Sequence, residues 1–220
     1  MRRRDVLVVL LGLLAAPLTA RAGDDSACPA ALTDARRAFS MPARLLESVA
    51  MVESGRRVGG RAVPWPWTVN AAGTGYFYES KDQAVAAVRG FQAAGVQSID
   101  VGCMQINLQM HPQAFSSLDE AFEPAANTRY GAQFLRTLYI ASHSWGTAMT
   151  AYHSSNPEPA AAYARKLLAI WPEAEAMGLS AGPAPGGQDP VARHDYTEQF
   201  ARAVAADMAL RRTRATAAPP

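Results

Sequence analysis

The chain has 220 residues, 49% of them hydrophobic, with 21 basic and 19 acidic residues for a net charge of +2. That length and apolar content suit one globular domain with a substantial core, not a disordered tail. The near balance of charge lacks the basic footprint of a nucleic-acid binder.

The opening "MRRRDVLVVLLGLLAAPLTARAGDD" places three arginines before an apolar run from Val6 to about Ala16. Small residues follow at Ala20 and Ala22. This reads as a signal peptide over residues 1–22, because the apolar run is too short to span a bilayer. The expectation is an exported, periplasmic protein with no stable membrane insertion after cleavage. Losing Arg2, Arg3, Arg4, Arg21 and Asp5 leaves 17 basic and 18 acidic residues. The remaining cysteines, Cys28 and Cys103, are a candidate disulfide in an exported chain; the alternative is two buried thiols.

Helical composition runs over Ala30–Phe39. A second helix is predicted from a Ser40 cap, with Pro42 in its first turn and Leu45, Leu46, Val49 and Val52 on one face, to Gly55. Residues 59–75 are rich in Gly and Pro, and "WTVNAAGTGYFY" within reach of them reads as two short strands around a turn. Further helices are predicted over Lys81–Ala94, Ala125–Ile140, Trp145–Tyr152 and Pro159–Trp171. Residues 178–190, "GLSAGPAPGGQDP", have linker composition. Beyond them Tyr196, Phe200, Val204 and Met208 suggest a C-terminal helix and tail over 191–220. The fold class is mainly α, with a small β element, over residues 23–177.

Glu53 sits near the end of the second predicted helix, just before a glycine suited to a left-handed stop. The negative end of the helix dipole and burial both favour its protonated form, as a general acid requires. Taken alone, such a glutamate is better read as an exposed residue of a last turn. Glu47, six residues earlier, points to another side of the helix. In "SIDVGCMQINL", strict strand alternation would put Asp100 opposite Gln105 and Asn107. A turn near Gly102 would be needed to gather them. Two amides suit sugar hydroxyls and N-acetyl groups, but on their own they are better read as satisfying backbone groups of an irregular loop.

In this order, "VAMVESG", "IDVGCMQIN", "FEPAANTRYGAQFL" and "AYHS" resemble the motifs of soluble lytic transglycosylases, family 1, in the lysozyme-like superfamily. The resemblance covers roughly Cys28–Trp171. "DVG-x-MQIN" is most similar to the transglycosylases that accompany secretion and conjugation machines, and is also similar to C-type lysozymes.

The resemblance implies an α+β lysozyme-like domain with a central cleft that binds peptidoglycan glycan strands. It implies Glu53 as the catalytic acid, with Ser54, Met104, Gln105, Asn107 and Tyr152 binding substrate or orienting the acid. Asn127 is structural in this scheme. Neither metal nor cofactor is implied, and secretion or conjugation machinery is the implied partner.

Three departures from the family pattern stand out. Cys103 replaces a leucine, His153 an asparagine, and Ser154-Ser155 a pattern ending in glycine. The span from Glu53 to Gly102 is also long, so residues 59–97 read as an insertion. Its Trp65, Trp67, Tyr76, Phe77 and Tyr78 either stack on sugars or pack against the core.

Three rival readings follow. Asp100 matches the second carboxylate of C-type lysozymes, which would make the protein a hydrolytic muramidase. The altered "AYHS" motif would suit a non-catalytic peptidoglycan-binding assembly factor. A thiol enzyme would pair Cys103 with His153 as its base.

Overall fold

A computed structural model of the protein describes residues 24–172. The expected signal segment, the linker and the C-terminal helix lie outside the described residues. Seven helices and a small antiparallel sheet are found within them. The fold is therefore α-dominated with a small β element, as expected. Among the described residues no helix is long and apolar enough to cross a membrane.

The first helix, α1, spans Asp24–Ala38 and begins six residues before its predicted start. Cys28, Leu32 and Ala35 form its buried stripe at helical spacing. Helix α2 runs over Leu45–Ser54. Ser40 does not cap it: Ser40 and Arg44 both take positive φ, at 51° and 68°, and the chain turns twice before the helix starts. Gly55 then leaves α2 with φ −59° and ψ 121°, an extended residue and not the left-handed stop expected. A glycine is required there for another reason. A Cβ at Gly55 would lie 2.3 Å from the Met51 carbonyl oxygen.

Gly55–Val58 (β1) and Arg61–Pro64 (β2) form a hairpin, where the sequence suggests only a helix end at Gly55 and a Gly- and Pro-rich stretch from residue 59. Its turn residues Gly59 and Gly60 have φ of 56° and 82°, the geometry of a two-residue primed turn. Thr68–Ala71 (β3) and Thr74–Phe77 (β4) form the expected hairpin, with Asn70 Oδ1 accepting from Gly73 N at 2.9 Å. Lys81–Ala93 (α3) is capped by Ser80, whose side chain accepts from Gln83 N.

The stretch from Ser98 to Leu108 becomes a third hairpin, Ile99–Val101 (β5) with Ile106–Asn107 (β6). The four-stranded sheet has the order β4-β3-β5-β6. Leu118–Ala121 (α4) is a single turn with no periodicity to betray it. Pro124–Ser142 (α5), Trp145–His153 (α6) and Pro157–Ile170 (α7) complete the domain.

Two buried clusters hold these elements. One joins α1, α2, α5, α6 and α7 through Leu32, Leu45, Val49, Leu135, Met149 and Leu167. The other lies under the sheet and α3, around Trp65, Val69, Val85, Val88, Ile99 and Phe122.

Residues 59–97, the expected insertion, therefore supply β2, β3, β4 and α3. Trp65 and Trp67 are buried in the second cluster. Trp65 Nε1 donates to the Tyr78 carbonyl at 2.7 Å. Tyr76 and Phe77 face solvent, and none of the five aromatics lines the cleft described below.

Cys28 and Cys103 are bonded to each other across 75 residues of sequence. Neither sulfur is then available as a thiolate, which removes the thiol-enzyme reading. Closing a loop of that length stabilises the fold by about 4 kcal/mol in the chain-entropy picture. Replacing both cysteines with serine should lower the melting temperature by roughly 8–16 °C, read by thermal denaturation. An unchanged melting temperature would show that the bridge adds nothing.

Candidate active site

An open cleft of about 470 Å³ runs between the sheet and the helices. Glu53 enters it from α2, and Asn70 from β3. Ser98, Asp100, Gln105 and Asn107 come from the β5–β6 hairpin, Phe134 and Leu138 from α5, and Tyr152 and His153 from α6.

Glu53 is the most perturbed carboxyl in this cleft. Its side chain is 14% exposed. Its pKa rises from the ordinary 4.5 to about 7, chiefly because burial penalises the charged form. The Tyr163 hydroxyl and the Lys166 charge pull it down, while the Asp100 charge pushes it further up. Tyr163 Oη is buried and closes no hydrogen bond of good geometry, so its hold on Glu53 is loose. Glu47, by contrast, pairs with Arg36 at 3.1 Å and has a structural place.

The β5–β6 turn does what strict alternation could not. Gly102 at φ 81° and Gln105 at φ 46° reverse the chain, so Asp100 and Asn107 become cross-strand partners. Asn107 Nδ2 donates to Asp100 Oδ1 at 2.7 Å and lies 3.3 Å from Ser98 Oγ. Asn107 Oδ1 accepts from the backbone N–H groups of Gln109 and Met110. Its amide is thus spent on holding Asp100 and the local turn. Gln105 Nε2 donates to the carbonyls of Thr68 and Gly102, both at 3.0 Å. That amide has only an acceptor left to offer a ligand.

Asp100 faces the cleft and is tied to a side-chain amide, not to a backbone one. Burial raises its pKa and the Asn107 bond lowers it, with burial the larger effect.

Two expected substrate-binding residues do not reach the cleft. Ser54 is 1% exposed, and its Oγ bonds the carbonyls of Cys103 at 2.7 Å and Ala50 at 3.1 Å. It links the end of α2 to the turn. Met104 is fully buried, and a Cβ at Gly131 would come within 2.8 Å of its side chain. Its side chain fills the core while its backbone carries the contacts. Met104 N donates to Asn127 Oδ1 at 2.8 Å, and Met104 O accepts from the Tyr152 hydroxyl at 2.7 Å. Tyr152 lines the cleft with its ring and tethers α6 with its hydroxyl. Asn127 also donates to the carbonyls of Val101 and Ala121, both at 2.9 Å.

Sequence reasoning missed Asn70, His111 and Tyr163. His111 meets the Tyr130 hydroxyl at 2.9 Å through Nδ1, and burial lowers its pKa to about 4. Tyr163 had one signal, its place at helical spacing with Leu167. That signal marks a core position and says nothing of Glu53.

A helical domain whose small antiparallel sheet walls a cleft holding one strongly perturbed glutamate is a lysozyme-like glycan-cleaving architecture. The family model for the Transglycosylase SLT domain matches residues 31–165, and the chain belongs to that family. No curated protein and no solved structure matches the chain. The domain is accordingly of the lytic transglycosylase type and acts on peptidoglycan.

Proposed function

We propose that the protein cleaves the β-1,4 bond between N-acetylmuramic acid and N-acetylglucosamine with Glu53 as its single catalytic carboxyl, leaving a 1,6-anhydromuramyl end. The observation that carries this is the Glu53 carboxyl in the cleft with its pKa near 7. Glu53 gives its proton to the bridging oxygen as the bond from the muramyl carbon breaks, and the electron pair leaves with that oxygen. The Glu53 carboxylate then takes the proton of the C6 hydroxyl of the same sugar while that oxygen closes on the muramyl carbon. The acid is restored and no water is consumed. The attack is intramolecular and has the high effective concentration of a tethered nucleophile. An exported, periplasmic location and a role beside secretion or conjugation machinery accord with this substrate.

Mass analysis of muropeptides released from purified sacculi tests the reading. The expected product carries the anhydro end, and a reducing muramic acid end would overturn it. The hydrolytic alternative has one observation in its favour, because Asp100 lines the same cleft as Glu53. Retaining hydrolysis needs a second ionised carboxylate flanking the bond. Asp100→Asn should therefore leave the anhydro product in place with turnover reduced by less than about tenfold, since the amide can still meet Asn107. Loss of activity on the scale of a missing catalytic group would favour the two-carboxylate route.

A further inference from the structure

The residue after Tyr152 departs from the family's asparagine, and its surroundings are unusual. His153 ends α6 and lines the cleft. Its Nδ1 lies 3.9 Å from Glu53 Oε1. Its ring stacks face to face on Tyr163, with centroids 4.6 Å apart and planes 4° from parallel. Tyr163 is itself 1% exposed and fixed in the helical core. The imidazole therefore lies against an immobile plane with one nitrogen aimed at the carboxyl.

We propose that His153 is a positioning residue for Glu53, holding its carboxyl through Nδ1 and bringing to the cleft a charge that an asparagine could not carry. This rests on the reading of Glu53 as the acid. Catalytic hydrogen bonds are often long in a ligand-free site and tighten when substrate binds. Neutral imidazole can serve both stages of the reaction. Its Nδ1 lone pair can accept from the protonated carboxyl, and in the other tautomer Nδ1–H can donate to the carboxylate. An asparagine amide offers the same two functions on two different atoms, and it never ionises.

The charged groups around His153 decide its state. Glu53 faces it from α2. Tyr163 and Lys166 face it from α7, and Asp100 acts on Glu53 from β5. Burial, and secondarily Lys166, lowers the pKa of His153 below its ordinary 6.5. The ring is neutral while Glu53 works near pH 7. At lower pH an imidazolium forms beside the sugar carbon on which positive charge must develop. Like charges repel there, so cleavage slows.

Two measurements test the proposal. The first is a pH titration of the His153 ring by NMR, in the wild type and in Glu53→Gln. The expected wild-type curve has an inflection near 7 that reports Glu53, followed by a lower one of its own. In Glu53→Gln only the lower one should remain. Identical curves in the two proteins would overturn the contact.

The second is the pH dependence of kcat/KM for wild type, His153→Asn and Asp100→Asn. The wild type and Asp100→Asn should lose about tenfold per pH unit on the acid side, and His153→Asn should lack that limb while keeping the alkaline one. An acid limb that persists in His153→Asn, or that vanishes only in Asp100→Asn, would overturn the proposal. If the wild type released no glycan at any pH, the proposed function would fail, while the NMR titration would still report on the contact.

Discussion

Glu53→Gln should lower the rate of glycan release by roughly 10²- to 10⁴-fold, the span of a general acid–base group, while sacculus binding persists. At pH 7 about half of the wild-type molecules hold the proton that the leaving oxygen needs, because the pKa is about 7. An ordinary glutamate would hold it in roughly one molecule in 300 at that pH. Wild-type kcat/KM should fall about tenfold per pH unit above 7, as the acid form disappears. Lysis by the Gln variant at the wild-type rate would remove Glu53 from the chemistry.

The same substitution should stabilise the fold, and the direction follows from proton linkage. Folded Glu53 titrates near 7 and an unfolded glutamate near 4.5. Below about 4.5 both states are protonated and the site costs nothing. As pH rises from 4.5 to 7 the unfolded chain loses its proton first, so stability falls. Above 7 the full cost is present, about 3 kcal/mol on the scale of 1.36 kcal/mol per pKa unit. Urea unfolding should find Glu53→Gln more stable than wild type at pH 8 and equal to it at pH 4. A wild-type advantage at pH 8 would mean that the buried carboxylate is better compensated than its neighbours suggest.

The second large effect is expected at Asn127. This fully buried amide satisfies Met104 N–H and the carbonyls of Val101 and Ala121. Asn127→Ala orphans all three, and the losses are not independent. A stability decrease of about 3–5 kcal/mol is expected, measured by denaturant unfolding. Gly102→Ala should act through the same junction. At φ 81° a side chain is strained, and its Cβ would stand 2.4 Å from Asn127 Nδ2. Activity should fall with it, because Gly102 begins the turn that presents Asp100 and Gln105. A loss below 1 kcal/mol in Asn127→Ala would show that water replaces the amide at little cost.

The parts of the fold that could be read were those with a strong period. Lys81–Ala93, Pro124–Ser142 and Trp145–His153 agree with their apolar spacing to within a residue or two. The β1–β2 hairpin was missed because its strands, "GRRV" and "RAVP", are half exposed and too polar to alternate. Gly59-Gly60 is its one turn signal, and the Gly- and Pro-rich stretch that it opens masks it. Leu118–Ala121 is too short for any period.

At the site, Glu53 was legible because its motif and its helix end agree. Ser54 and Met104 were misplaced for a common reason. A motif fixes which residues matter and not which way each side chain points, and both of these turn inward. Asn70, His111 and Tyr163 come from distant parts of the chain, and only tertiary packing brings them near Glu53. His153 was visible as a departure in its motif, but its stack on Tyr163 was not.

Two adjacent residues, Cys103 and Met104, receive ties from four helices. Cys28 of α1 bonds the sulfur, Ser54 of α2 and Tyr152 of α6 hold the two carbonyls, and Asn127 of α5 holds the Met104 amide. One side of the cleft is therefore a fixed jaw, anchored to the helical body in four directions. The end of α6 belongs to that same fixed side, because Tyr152 ties it to Met104 and His153 lies stacked on Tyr163. A glycan entering the cleft would therefore meet a wall already set before it arrives, as work meets the fixed jaw of a bench vice.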